Sequence, residues 1–107
     1  MSLLAKKCVP CEGSTMPLTI QQAEALMNEL QGWTLSPDVK KIHKEMKLKD
    51  FAEALAFTNK VGVIAEAEGH HPDIALAWGK VGITLSTHSI GGLSMNDFIL
   101  ASKIDAI

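Results

Sequence analysis

The residues with the clearest chemical potential are His70 and His71, adjacent and followed by Pro72, together with Glu66 upstream and His88 and Asp97 downstream. Imidazole is the side chain whose unperturbed pKa, roughly 6.5, lets it give and take protons near neutrality, so two of them on a rigid corner suit general acid/base chemistry. Other chemistries find less support. Gly91-Gly92 lacks the lysine and the spacing of a phosphate-binding loop, and the absence of tyrosine rules out a phenol acid. Three histidines with Glu66 could ligate zinc or iron, but consecutive side chains such as His70 and His71 seldom point at one ion. Neither a metal nor another cofactor is expected.

These residues depend on the elements that carry them. An alanine-rich amphipathic run opens at Asp50-Phe51-Ala52-Glu53, a capping box, and reaches Glu68, where Gly69 ends the helix and Pro72 prevents it from resuming. Phe51, Ala54 or Leu55, Thr58, Val61 and Ala65 form its buried stripe. Gly62 within it costs about 1 kcal/mol against alanine, which points to a close packing contact. If the last turn extends far enough, Glu66 and His70 share a face. Beyond Pro72, Ile74–Trp78 and Val81–His88 alternate strictly around Gly79-Lys80, which suits a two-residue turn. That turn pairs Trp78 with Val81, Leu76 with Ile83 and Ile74 with Leu85 on a core face. Extended outward, it sets His88 opposite His71. Opposed residues have alpha carbons ~4.5 to 5.5 Å apart, so three imidazoles would converge.

The remaining chain supplies the framework. Thr19 and Gln22 read as a capping box for a first helix with Ile20, Ala23, Leu26 or Met27, and Leu30 as its stripe, closed by Gly32. Trp33-Thr34-Leu35 is a short strand before the turn at Ser36-Pro37-Asp38. In the next strand Ile42, Met46 and Leu48 share a side. Lys44 interrupts that row and places the strand near an edge. His43, among charged neighbours, is left outside the site. Ser94 caps a last helix in which Asp97 occupies the capping-box position and Phe98, Ala101 and Ile104 face the core, flanked by Leu100 and Ile107. The order α-β-β-α-β-β-α predicts an α+β, two-layer domain: a four-stranded antiparallel sheet with helices on one face.

At 107 residues, with 47% hydrophobic and 21% charged side chains, the chain has room for one core. Residues 1–17 read as a head segment and 18–107 as the domain. A net charge of −2 argues against a nucleic-acid surface. No apolar run approaches the ~20 residues of a membrane span, which makes a cytoplasmic protein the default. Cys8 and Cys11 could be half of a zinc site, a redox pair or a labile disulfide; a non-catalytic head is the favoured reading.

Several motifs in order carry a resemblance. Glu66, His70-His71-Pro72, Trp78, Leu85-Ser86-Thr87-His88 and Asp97 resemble the signature of the pterin-4a-carbinolamine dehydratases. The flanks Gly32-Trp33, Lys49-Asp50-Phe51-Ala52 and Gly92-Leu93-Ser94 are similar to the same family, from about Leu18 to the end, and the Cys8-to-Gly13 head is similar to that of bacterial members. The resemblance implies the same α+β fold and loss of water from a 4a-hydroxytetrahydropterin to give quinonoid dihydropterin, which recycles the pterin of aromatic amino acid hydroxylases. It implies His70 and His71 as the acid/base pair with His88 as third imidazole. Pro72, Thr87, Ser89, Glu66, Trp33 and Asp97 would surround the pterin, with Trp33 preferred to Trp78 as an aromatic wall. Family members form dimers through sheet edges and often tetramers, so a homodimer or homotetramer is expected, with no nucleic acid or membrane partner. Some animal members also serve as a dimerisation cofactor for a homeodomain transcription factor. A protein-binding module and a His-ligated metal site are therefore the alternatives, the first disfavoured by the bacterial head.

Overall fold

The computed structural model describes residues 3–8 and 16–107. Helix α1 (Ile20–Met27) begins where Thr19 Oγ1 accepts the Gln22 N–H (3.2 Å) and Gln22 Oε1 accepts the Thr19 N–H (2.9 Å), the reciprocal box the sequence predicts. Its buried stripe starts at Ala23, because Ile20 is exposed. The helix ends at Met27; Asn28, Glu29 and Leu30 each bond a carbonyl three residues back before Gly32 turns the chain at φ 79.

Strands β1 (Thr34–Leu35), β2 (Ile42–Lys47), β3 (Asp73–Ala77) and β4 (Lys80–Leu85) form one antiparallel sheet in the order β1-β2-β4-β3. β2 is therefore internal, not near an edge, although β1 covers only Ile42 and His43 of it. Lys44 fits there for a different reason: its Nζ lies 2.7 Å from Asp105 Oδ1 and 6.0 Å from the centre of the Trp33 ring.

Helix α2 (Phe51–Glu68) starts on Asp50, whose Oδ1 accepts the Glu53 N–H (2.9 Å), while Glu53 reaches back to the Lys49 N–H (3.2 Å) instead of that of Asp50. Ala54, Val61 and Ala65 are buried, but Phe51 and Leu55 are exposed. Gly62 has no close contact: a β-carbon there would meet nothing within 4 Å. Helix α3 (Met95–Asp105) is buried almost all round from Asn96 to Ala101, more than the single stripe predicted. The sheet and α2 account for part of that. The head supplies the rest, since the one-turn helix Leu3–Ala5 packs on α3 and Leu3 is itself in the core.

The hairpin register differs from the predicted one by two residues. Trp78 and Gly79 form the turn, Ala77 opposes Lys80, Leu76 opposes Val81 and Ile74 opposes Ile83. A shift of two preserves the face of every residue, so Ile74, Leu76, Val81 and Ile83 still point at the helices. Two consequences are lost, however. Trp78 leaves the core face and is 72% exposed, and β4 ends at Leu85, so His88 does not oppose His71. Gly79 decides the turn: it holds φ 69, its carbonyl accepts the Leu48 N–H (2.8 Å), and a β-carbon would lie 3.2 Å from the Leu48 oxygen.

Candidate active site

Gly69, at φ 66, closes α2 through its N–H to Glu66 O (3.3 Å), and the His70 N–H bonds Ala65 O (3.2 Å). This left-handed exit sends adjacent histidines to different places. His70 reaches the first turn of α3, where its Nε2 lies 2.6 Å from Asp97 Oδ1. Asp97 is fully buried, and its Oδ2 accepts the Thr87 hydroxyl (2.8 Å) and the Ser94 N–H (2.9 Å). Because the Thr87 hydrogen is committed to Asp97, the Ser94 hydroxyl donates to Thr87 Oγ1 (2.8 Å). Three donors thus converge on one carboxylate at the positive end of a helix. With Asp97 accepting as a carboxylate, Nε2 of His70 is the donor in this bond, and Nδ1 is the ring nitrogen that Asp97 does not engage.

His71 takes the other partner. Its Nε2 lies 2.6 Å from Glu66 Oε1, with both side chains mostly exposed. The expectation that Glu66 serves His70 is corrected by this geometry, in which Gly69 turns His70 off the face that Glu66 occupies.

His88 opens a one-turn helix, His88–Ile90, closed by Gly91 at φ 69. It lines a cavity of about 320 Å³ with Lys40, Lys41, Ser86, Thr87, Gly91 and Gly92. Thr87 belongs to both the cavity wall and the Asp97 network, and so joins His88 to His70. The loop is pinned by the Thr87 N–H to Gly92 O (2.8 Å), and Gly92 lets Pro17 pack close, since a β-carbon there would fall 3.0 Å from the Pro17 side chain. Half-buried Pro72 follows the histidine pair, and exposed Ser89 follows His88.

Trp33 is not brought to this cluster. It is buried in the core, and its Nε1 donates to Asp105 Oδ1 (2.9 Å). Asp105 is eight residues beyond Asp97 on α3, about 12 Å along the axis. Trp78, exposed in its turn, is not an aromatic wall of the cavity either. Sequence reasoning missed the Ser94 hydroxyl as a member of the network and the lysine pair on the cavity wall. No local pattern marks Lys40 and Lys41, since they meet His88 only through the sheet.

Cys8 lies near the base of the network. Its N–H bonds Glu68 Oε1 (2.8 Å) and its Sγ donates to Asn96 O (3.5 Å). Burial, reinforced by the Glu68 charge and hydrogen bond, pushes its thiol up to about 12, which makes it a poor nucleophile. Cys11, and with it any pairing of the two cysteines, lies outside the described residues. Among the described residues no three His, Cys, Asp or Glu side chains are grouped to hold a metal ion. None of the described helices is long and apolar enough to cross a membrane.

Comparison with known proteins bears on the same residues. The model of the family described as pterin 4 alpha carbinolamine dehydratase matches residues 16–107. A relative from Halorhodospira halophila, provisionally named a pterin-4-alpha-carbinolamine dehydratase, is 47% identical over 107 residues, covering 100% of this chain and 98% of its own. Another with the same provisional name, from Methylococcus capsulatus, is 45% identical over 106 residues, covering 99% and 93%. The crystal structure of a protein described as a transcriptional coactivator/pterin dehydratase from Brucella melitensis superimposes with a TM-score of 0.79 at 32% identity, over 84% of this chain and 96% of that one. With a family match over residues 16–107 and relatives of this similarity at full length, the chain belongs to the pterin-4-alpha-carbinolamine dehydratases, a family of hydro-lyases.

Proposed function

We propose that the protein removes water from a 4a-hydroxytetrahydropterin by histidine acid/base catalysis, giving quinonoid dihydropterin. The observation that carries this reading is the buried Thr87–Asp97–His70 network opening, through Thr87, on the cavity that His88 lines. In the reaction the C4a–O bond breaks, a ring N–H gives up its proton so that its electrons form the new C=N bond, and the departing hydroxyl takes up a proton to leave as water. One group accepts and one donates, each contributing roughly 10² to 10⁴-fold. His70, held by Asp97, and His71, held by Glu66, are the proposed pair. His88 orients the pterin or shares the transfer, with Pro72, Thr87 and Ser89 at its border. No step calls for a metal or an organic cofactor.

Stopped-flow decay of freshly generated 4a-hydroxytetrahydrobiopterin tests this reading. Acceleration over buffer that is lost in His70→Ala supports it, whereas no acceleration by folded wild-type protein sinks it. The reading carries a cytoplasmic location and self-association with it. Phe51, Leu55 and Val63 are exposed on α2, and β3 ends the sheet with an open edge, so a homodimer or homotetramer has surfaces to use. Light scattering on the purified chain checks that assembly, and a monomer at micromolar concentration would remove it.

A further inference from the structure

Two residues that line the His88 cavity have no part in the proton transfers. They are Lys40 and Lys41, from the turn between β1 and β2, which share the lining with Ser86, Thr87 and His88. That turn is tightly built. Ser36 Oγ accepts the N–H groups of both Lys40 (3.2 Å) and Lys41 (3.0 Å), the Ser36 N–H bonds Lys41 O (2.9 Å), and Ser36 donates to Asp38 Oδ1 (2.6 Å). Val39 is held at φ 59, where a β-branched residue rarely sits.

The two ammonium groups have little else to do. Among the described residues the lysine ion pairs involve Lys44, Lys80 and Lys103, not Lys40 or Lys41. Asp38 is the carboxylate that feels Lys40. Its carboxyl is held below the usual range first by the Ser36 hydroxyl, then by the Lys40 N–H, and to a lesser degree by the Lys40 charge. A chain of net charge −2 thus lines one cavity with two lysines, a serine and a histidine. A phosphate group offers three strong acceptor oxygens to such a set.

We propose that Lys40 and Lys41 form a subsite for an anionic side chain on the pterin, so that the preferred substrate is a reduced pterin with a phosphorylated tail at C6. This rests on the dehydratase reading for the ring. The cavity is large enough for a tail of that size beside His88, and the lysines act on binding, not on the proton transfers.

Calorimetric titration of the full chain at low ionic strength tests it with two stable ligands, 7,8-dihydrobiopterin, whose tail is neutral, and 7,8-dihydroneopterin monophosphate. The phosphorylated ligand is expected to bind about tenfold more tightly. Lys40→Ala/Lys41→Ala should erase that difference without changing affinity for the neutral ligand, and Lys40→Arg/Lys41→Arg should keep it. Millimolar inorganic phosphate should compete with the phosphorylated ligand alone. Equal affinities in the wild type, or a preference that survives in the double alanine variant, would overturn the subsite. Turnover of neutral 4a-hydroxytetrahydrobiopterin by the same samples is a separate readout. Its absence in the wild type would remove the dehydratase reading, while the ratio of affinities still decides whether the lysines select the tail.

Discussion

Helix α3 carries a carboxylate at each end, and their environments differ in one decisive respect. Asp97, at the first turn, is buried among the Thr87 hydroxyl, the Ser94 N–H and the His70 imidazole. Asp105, at the last, accepts the Gln31 N–H (3.1 Å), the Trp33 indole N–H (2.9 Å) and the Lys44 ammonium (2.7 Å). Both are satisfied, and both tie α3 to the sheet side of the molecule. The helix dipole favours the first and opposes the second, so Asp105 needs a full cation where Asp97 manages with an imidazole. The Asp97 set contains an imidazole, the group suited to exchanging protons near neutrality, and its Thr87 lines a cavity. A buried carboxylate with several partners is thus not itself a sign of function; the kind of partner and the access to it are.

The contrast can be broken most directly at His70. His70→Ala is expected to lower the dehydration rate by roughly 10² to 10⁴-fold with the fold intact by circular dichroism. An unchanged rate in stopped flow would make the Asp97 end as purely structural as the other. Asp97→Asn keeps the shape but weakens the hold on His70, so the rate should fall by about tenfold or more, with about 1 to 3 kcal/mol lost in urea unfolding. The mirror experiment is Asp105→Asn. It should cost about 1 to 2 kcal/mol of stability and leave turnover within about twofold; a large loss of rate there would erase the distinction. The smallest effect belongs to Trp78→Ala. Exposed in its turn, it should change stability by less than about 0.5 kcal/mol. A loss of about 3 to 5 kcal/mol would restore the register that puts it in the core.

Much of the site was legible because its signals are local. Gly69 as a left-handed helix stop, Pro72 after it, and Ser94 with Asp97 at a helix start are each written within a few residues, and the structure has all of them. What failed was the inference across the hairpin. Alternation fixes which face a residue points to but is blind to a shift of two, and the choice of Trp78-Gly79 over Gly79-Lys80 as the turn depends on Leu48, far away in sequence. The conditional pairing of Glu66 with His70 failed for a related reason. Helical spacing joins Glu66 to His70 only while the helix continues, and Gly69 ends it one residue too early.

By itself, then, the sequence determined the element order, the faces of the strands, the helix starts set by caps, the end of α2 at Gly69, and the family, because each rests on short-range periodicity or on motifs in fixed order. The tertiary structure alone decided which carboxylate holds which imidazole, that Trp33 serves the core through Asp105, that Leu3–Ala5 packs on α3, and that Lys40 and Lys41 line a cavity with His88. Those are contacts between segments far apart in the chain. Their pairing is set by how the sheet and helices pack, which no local pattern of residues encodes.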